Sequence, residues 1–162
     1  MRTTIPEDAL LRRYAVSESG EALPHYTDCF VTTVPLAVNL ATYVGAFYKT
    51  PLFRSERLVL RLAGMPSKDR DIELLLAGQQ THFAAWTVED RTEDQLLMCD
   101  VNARTRSWFR VVPKGEVTDL YFGSAVIADG DELPYSYRVL LGIHRFYSRC
   151  LLRAAARRLT RR

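Results

Sequence analysis

The spacing of apolar and polar positions divides the chain into an early mixed stretch, a run of alternating segments and a long closing helix. The closing segment, Pro134 to Leu159, reads PYSYRVLLGIHRFYSRCLLRAAARRL. Val139, Ile143, Phe146, Tyr147, Cys150 and Ala154 recur at three- and four-residue steps, which predicts one apolar stripe. Arg145, Arg149, Arg153, Arg157 and Arg161 recur every four residues and predict a basic stripe beside it. Proline suits the first helical position, where its missing N–H would be unpaired anyway. At ~1.5 Å per residue such a helix runs for about 39 Å, enough to cross a small domain, so its apolar side needs a cover.

The cover must come from upstream. Residues 1–24 read as an N-terminal arm, with a short helix that turns Leu10, Leu11 and Tyr14 one way before Ser17-Glu18-Ser19-Gly20 breaks it. His25 to Val34 is rich in β-branched and aromatic residues and predicts a first strand, closed by Pro35. Leu36–Tyr48, Leu52–Ala63 and Lys68–Ala77 carry helical spacing, separated by Thr50-Pro51 and Gly64-Met65-Pro66 and ended by Gly78. Thr81–Glu89, Gln95–Asn102, Ser107–Val112 and Val117–Ala128 then predict four strands. Their short polar connections favour antiparallel hairpins.

This order predicts an α+β domain over residues 25–162: an antiparallel curved sheet gripping a long C-terminal helix, with middle helices after the first strand. An antiparallel sheet needs at least one covered face. The helix-grip arrangement would leave a hollow between sheet and helix.

Composition changes this picture little. The 162 residues are 48% hydrophobic and 25% charged, as in ordinary globular domains. Cys29, Cys99 and Cys150 are odd in number and far apart, which argues against a disulfide framework or a cysteine-rich zinc site. With no signal-peptide core and no apolar run approaching ~18 residues, a reduced cytoplasmic setting is expected. Charge is uneven. Arg145 to Arg162 holds seven arginines and no acid, leaving 15 of the 22 basic residues against all 19 acids elsewhere. The basic stripe reads as a solvated face, favoured near a helix C-terminus by the macrodipole. An anionic membrane surface or acidic partner is the less favoured use of it. Nucleic acid is not expected, because no aromatics interleave the arginines.

The segments DCFVTTVP (28–35), TRSWFRVVP (105–113), DLYFGSAV (119–126) and YRVLLGIHRFYSRCLLRAAARRL (137–159) resemble a family of small bacterial proteins without assigned chemistry. That family is related to the START and polyketide-cyclase-like helix-grip superfamily. Its closing helix commonly carries a histidine followed by an aromatic and basic run, matched here by His144, Tyr147 and Arg149. The resemblance covers roughly residues 25 to 160. It implies a START-like fold with a cavity for an apolar or amphipathic ligand, and transfers no catalytic residue.

Strand parity sorts the candidates for such a cavity. One set joins His82, Ala84, Trp86 and Val88 to Leu96, Met98, Asp100 and Asn102, then to Trp108 and Arg110, then to Asp119, Tyr121, Gly123 and Ala125. The opposite set, including Phe83, Leu97, Phe109, Leu120, Phe122, Ser124 and Val126, is nearly all apolar and reads as core. The first set either lines a ligand cavity or forms a half-wetted outer face, because a one-residue slip exchanges the two. The ligand-binding candidates are therefore Trp86, Met98, Asp100, Trp108, Arg110, Tyr121, His144 and Tyr147. Asp100 and Arg110 are also placed to form a cross-strand ion pair.

No metal or cofactor is expected: His25, His82 and His144 lack ligand spacing, and no phosphate-cradling glycine loop is present. Ser124 in GSA lacks the G-x-S-x-G elbow of a serine nucleophile. Three functions follow. The first is binding of an apolar small molecule or lipid under the last helix. The second is a cyclase- or hydratase-like enzyme using Asp100, Arg110, His144 or Tyr121 as acid–base groups. The third is an interaction protein working through the arginine stripe.

Overall fold

The first and last strands of the chain lie side by side, and that pairing organises the rest. In a computed structural model describing residues 1–128 and 135–161, the side chains of 135–140 excepted, β1 (Tyr26–Val34) runs antiparallel to β6 (Val117–Val126). β2 (His82–Phe83), β3 (Trp86–Arg91), β4 (Gln95–Asp100) and β5 (Thr105–Lys114) complete a six-stranded antiparallel sheet of order β1-β6-β5-β4-β3-β2. Helices α1 (Leu40–Tyr48), α2 (Pro51–Leu62) and α3 (Asp69–Leu76) separate β1 from the meander, and α4 (Tyr135–Thr160) closes the chain. The α+β class, the sheet and the C-terminal helix agree with the sequence reading. Pro134, expected at the helix start, lies outside the described residues.

Local chemistry sets these boundaries. Asn39 caps α1 by accepting from the Thr42 N–H. Thr50 caps α2 by accepting from the Phe53 N–H, and Pro51 occupies the first turn. The expected strand 81–89 is broken, because Ala84 adopts φ +52° and a two-residue turn folds Phe83 back onto Trp86. With no glycine to announce a left-handed turn, the sequence showed only a continuous strand.

The helical side of the sheet carries the larger core. Phe30, Val34, Phe109, Val111, Leu120 and Phe122 pack there against Tyr43, Phe47 and Tyr48 of α1 and Leu151, Leu152, Ala155 and Leu159 of α4. Parity was right within β5 and β6, but the grouping across strands needs correction. Leu96 pairs with Phe109, and Leu97 with Trp108. Leu96, Met98, Trp86 and Val88 thus share the helical side with Phe109 and Phe122, while Trp108 and Leu97 face the other way.

The phase of α4 also needs correction. Ile143 and Phe146 are 67% and 68% exposed. The buried line is Ser148, Leu151, Leu152, Ala155 and Leu159. Two apolar lines with helical spacing compete in this segment, and packing on β1 and α1 selects the later one. Val139, placed on the expected stripe, has no described side chain. Arg149, Arg153 and Arg157 are exposed.

The opposite face of the sheet is covered by the N-terminal arm. Residues 1–3 pair with the free edge of β1 through the Arg2–Phe30 bridge. A short 3-10 helix, Leu10–Tyr14, then inserts Leu11 among Cys29, Leu97, Trp108 and Ala125. Gln95 Oε1 accepts from both the Leu10 N–H and the Trp108 indole, each at 2.9 Å. Arg110 grips Asp8 with two hydrogen bonds of 2.7 and 2.6 Å.

Gly123 is where arm and sheet approach most closely. A Cβ there would lie 2.6 Å from Leu11 Cδ2 and 2.8 Å from the Asp28 carbonyl oxygen. Gly123→Ala should destabilise the fold by about 1–3 kcal/mol through overpacking against fixed backbone. Leu11→Ala should cost about 2–5 kcal/mol by opening a cavity under a fully buried side chain. Urea denaturation followed by circular dichroism measures both.

Candidate functional site

A buried carboxylate lies between β1 and α4. Asp28 is 2% exposed and sits in a strand of otherwise apolar and hydroxyl residues. Its register partner on β6 is Ser124. Asp28 Oδ1 accepts from the Ser124 N–H at 3.0 Å and from the Ser124 hydroxyl at 2.6 Å, and Oδ2 accepts from the Tyr26 hydroxyl at 2.8 Å. Three donors satisfy a carboxylate that burial would otherwise make costly.

The chain of bonds continues onto the helix. Ser124 Oγ lies 2.8 Å from His144 Nε2. Since the serine proton is given to Asp28, Oγ accepts from His144, which places a proton on Nε2. Burial pushes the His144 imidazole below its ordinary value, and the negative Asp28 nearby partly opposes that shift. Arg145 Nε donates to the Tyr26 oxygen at 2.8 Å, with its guanidinium 5.1 Å from the ring centroid. Burial, reinforced by Asp28, raises the Tyr26 phenol to about 12.

Beside this network a cavity of about 200 Å³ opens under α4. α1 contributes Phe47 and Tyr48, α2 contributes Phe53 and Glu56, and β3 contributes Trp86. β5 and β6 add Ser107, Phe109 and Phe122, and α4 adds His144, Tyr147, Ser148 and Leu151. Two grooves of about 590 and 600 Å³ flank the arm as open surface, and the second runs along the arm side of β1 past Thr27, Asp28 and Cys29.

The polar groups of the cavity are unusually placed. Tyr147 donates its hydroxyl proton to Glu56 Oε2 at 2.5 Å. Burial raises the Glu56 carboxyl above its ordinary value, and the Tyr147 bond opposes that shift. Burial likewise drives the Tyr147 phenol far up, aided by Glu56. Tyr48 Oη is fully buried and has no hydrogen-bond partner among the described residues.

The cavity gathers Trp86, His144 and Tyr147 from the predicted candidates. Met98 is fully buried in the core behind it. Asp100 is not paired with Arg110: its Oδ1 accepts from the N–H groups of Arg104 and Thr105 and closes the β4–β5 hairpin. Arg110, Trp108 and Tyr121 lie on the arm side, where they hold Asp8, Gln95 and the arm's apolar residues. The register of that hairpin is the physical reason, since Arg110 pairs with Gln95 and lies ten residues from Asp100 along the hairpin.

Asp28, Ser124, Glu56 and Tyr48 were not singled out as ligands or acid–base groups. Asp28 alone carried a signal, as a lone acid within an apolar strand. His25 accepts from the Ala128 N–H through Nδ1, and His82 is exposed, so the three histidines stay apart. Among the described residues no cluster of His, Cys, Asp and Glu is arranged to hold a metal ion, and no helix is long and apolar enough to cross a membrane.

Comparison with protein-family models, curated proteins and solved structures found no match for this chain.

Ser124→Ala should destabilise the protein by about 1–3 kcal/mol, because it removes one donor from Asp28 and the acceptor from His144. Chemical denaturation would show a smaller loss for Ser124→Thr. The Glu56 shift predicts a pH-dependent difference. The folded state holds the Glu56 proton more tightly than the unfolded chain, whose value is near 4.5. Stability from this group is therefore complete below that pH and lost as pH rises through the folded value. Glu56→Gln should raise the thermal midpoint at pH about 7.5 and leave it nearly unchanged at pH about 3, below the ordinary glutamate value.

Proposed function

We propose that the protein binds a small apolar or amphipathic molecule in the cavity beneath α4. The observation that carries this reading is an aromatic-walled cavity of about 200 Å³ whose lining includes Tyr48, a residue whose buried hydroxyl has no partner among the described residues. Buried polar atoms are almost always satisfied in folded proteins, and an exception beside a cavity favours a ligand that completes it.

Size narrows the class. An apolar cavity of ~150 Å³ can hold benzene, whereas pockets for drug-sized molecules begin near 300 Å³. The proposed ligand is therefore of single-ring size, which favours a small molecule over the lipid also expected. The order of one strand, middle helices, a meander and a long terminal helix supports placing the chain among START-like helix-grip proteins, as part of the same proposal.

A second reading is acid–base chemistry in that cavity. It is favoured by one observation, the convergence of His144, Tyr147 and Glu56 on a shared space. The Asp28–Ser124 pair behind His144 orients the imidazole, but the serine proton is held by Asp28, so Ser124 acts as a bridge rather than a nucleophile.

The test uses the two tryptophans, one on each face. In a Trp108→Phe variant, Trp86 is the sole indole reporter. Its emission should shift on titration with p-fluorobenzyl alcohol, and fluorine NMR should show the probe broadened by the protein. Ser148→Phe, which places a ring in the cavity, should abolish both effects while retaining the circular dichroism spectrum. An unchanged Trp86 emission and an unbroadened probe up to its solubility limit would overturn the reading.

A further inference from the structure

One end of the cavity is built from hydrogen-bond acceptors. Glu56 Oε2 takes the Tyr147 proton, and Oε1 has no partner among the described residues. Having given that proton away, the Tyr147 oxygen can only accept from a ligand. The Tyr48 hydroxyl, within the electrostatic reach of Glu56, is unpartnered among the described residues and keeps its own proton, so it can donate as well as accept.

No cation of the described residues balances Glu56. Arg106 reaches the cavity wall, but its Nε is held by Glu89 and the Tyr14 hydroxyl and its Nη1 by the Ala103 carbonyl. Arg57, one residue along α2, is held by Asp69 and Ser67. Burial pushes the His144 imidazole toward its neutral form, and its Nε2 is engaged by Ser124. The wall around the carboxylate is aromatic: the Phe53 ring lies 5.5 Å from Trp86 and 6.1 Å from Phe47, centroid to centroid.

A half-buried carboxylate, the Tyr147 phenol oxygen and a set of aromatic rings make a site for a positively charged donor. We propose that the ligand of this cavity is a small organic cation, a protonated primary or secondary amine carried on an apolar body of about one ring. Its N–H groups supply the donors that Glu56 Oε1 and the Tyr147 oxygen lack. Its charge is drawn by the ring faces as well as by the carboxylate. A neutral hydrocarbon would leave those acceptors buried and unsatisfied, and an anion would face Glu56 with no compensating cation.

The inference rests on the cavity-binding reading, and the experiment separates the two. Fluorine NMR titrations at pH about 7.5, where an alkylamine is protonated, would compare p-fluorobenzylamine, p-fluorobenzyl alcohol and p-fluorobenzoate against the intact chain. The amine should bind about tenfold more tightly than the alcohol, a difference worth ~1.4 kcal/mol, and the benzoate most weakly. Glu56→Gln should collapse the difference between amine and alcohol. If alcohol and amine bind equally, or if the amine preference survives Glu56→Gln, the cation assignment is wrong and the cavity reading stands. If none of the three binds, both are wrong.

Discussion

The rest of the structure depends on how the Asp28 carboxylate is satisfied. A carboxylate at the centre of an apolar layer is tolerated only if several donors converge on it. Here they come from Tyr26 on its own strand and from Ser124 on the paired strand, while α4 contributes His144 to Ser124 and Arg145 to Tyr26. Satisfying one buried charge thus sets the β1–β6 register, the azimuth of α4 and the position of His144 at the cavity wall. The same requirement explains why α4 does not bury Ile143 and Phe146. Rolling the helix to cover them would pull His144 and Arg145 off their partners.

The two faces of the sheet divide the labour. On the helical side, packed aromatic rings leave a small void. On the arm side, polar groups act as anchors. Gln95 holds the Leu10 N–H and the Trp108 indole together, and Arg110 binds both Asp8 and Asp94. Side chains that looked like ligand contacts in the sequence are spent on fixing the N-terminal segment. Leu11 and Gly123 show how tight that seam is, since no β-carbon fits between them.

Element order and strand parity were legible in the sequence because they follow from period-two and period-3.6 patterns that act locally. What was not legible depends on register between strands. Grouping Leu96 with Trp108 rather than with Phe109 is a one-residue choice, and it is decided by the β4–β5 turn, where Asp100 accepts from the Arg104 and Thr105 N–H groups and Ala103 adopts φ +55°. Neither that turn nor the one at Ala84 contains the glycine or Asn-Gly pair that would have announced it. The candidate site was half legible. Trp86, His144 and Tyr147 stood out by residue type, whereas Glu56 lay among the polar positions of an amphipathic helix and became distinctive only when α4 brought Tyr147 against it.

The cavity is retained against the drift of stability. A phenylalanine at position 48 would occupy almost the same volume without burying an unpartnered hydroxyl, whose desolvation costs about 1–3 kcal/mol. A glutamine at position 56 would still accept from Tyr147 without the burial that raises the Glu56 carboxyl. Each alternative is one conservative change away, and each would be expected to stabilise the free protein. Both unfavourable choices fall on the wall of one 200 Å³ space, between rings that leave it unfilled. Local destabilisation of that kind is the physical mark of a surface shaped for something other than folding. It separates Tyr48 and Glu56 from Asp28, whose buried charge is satisfied by three donors of the protein itself.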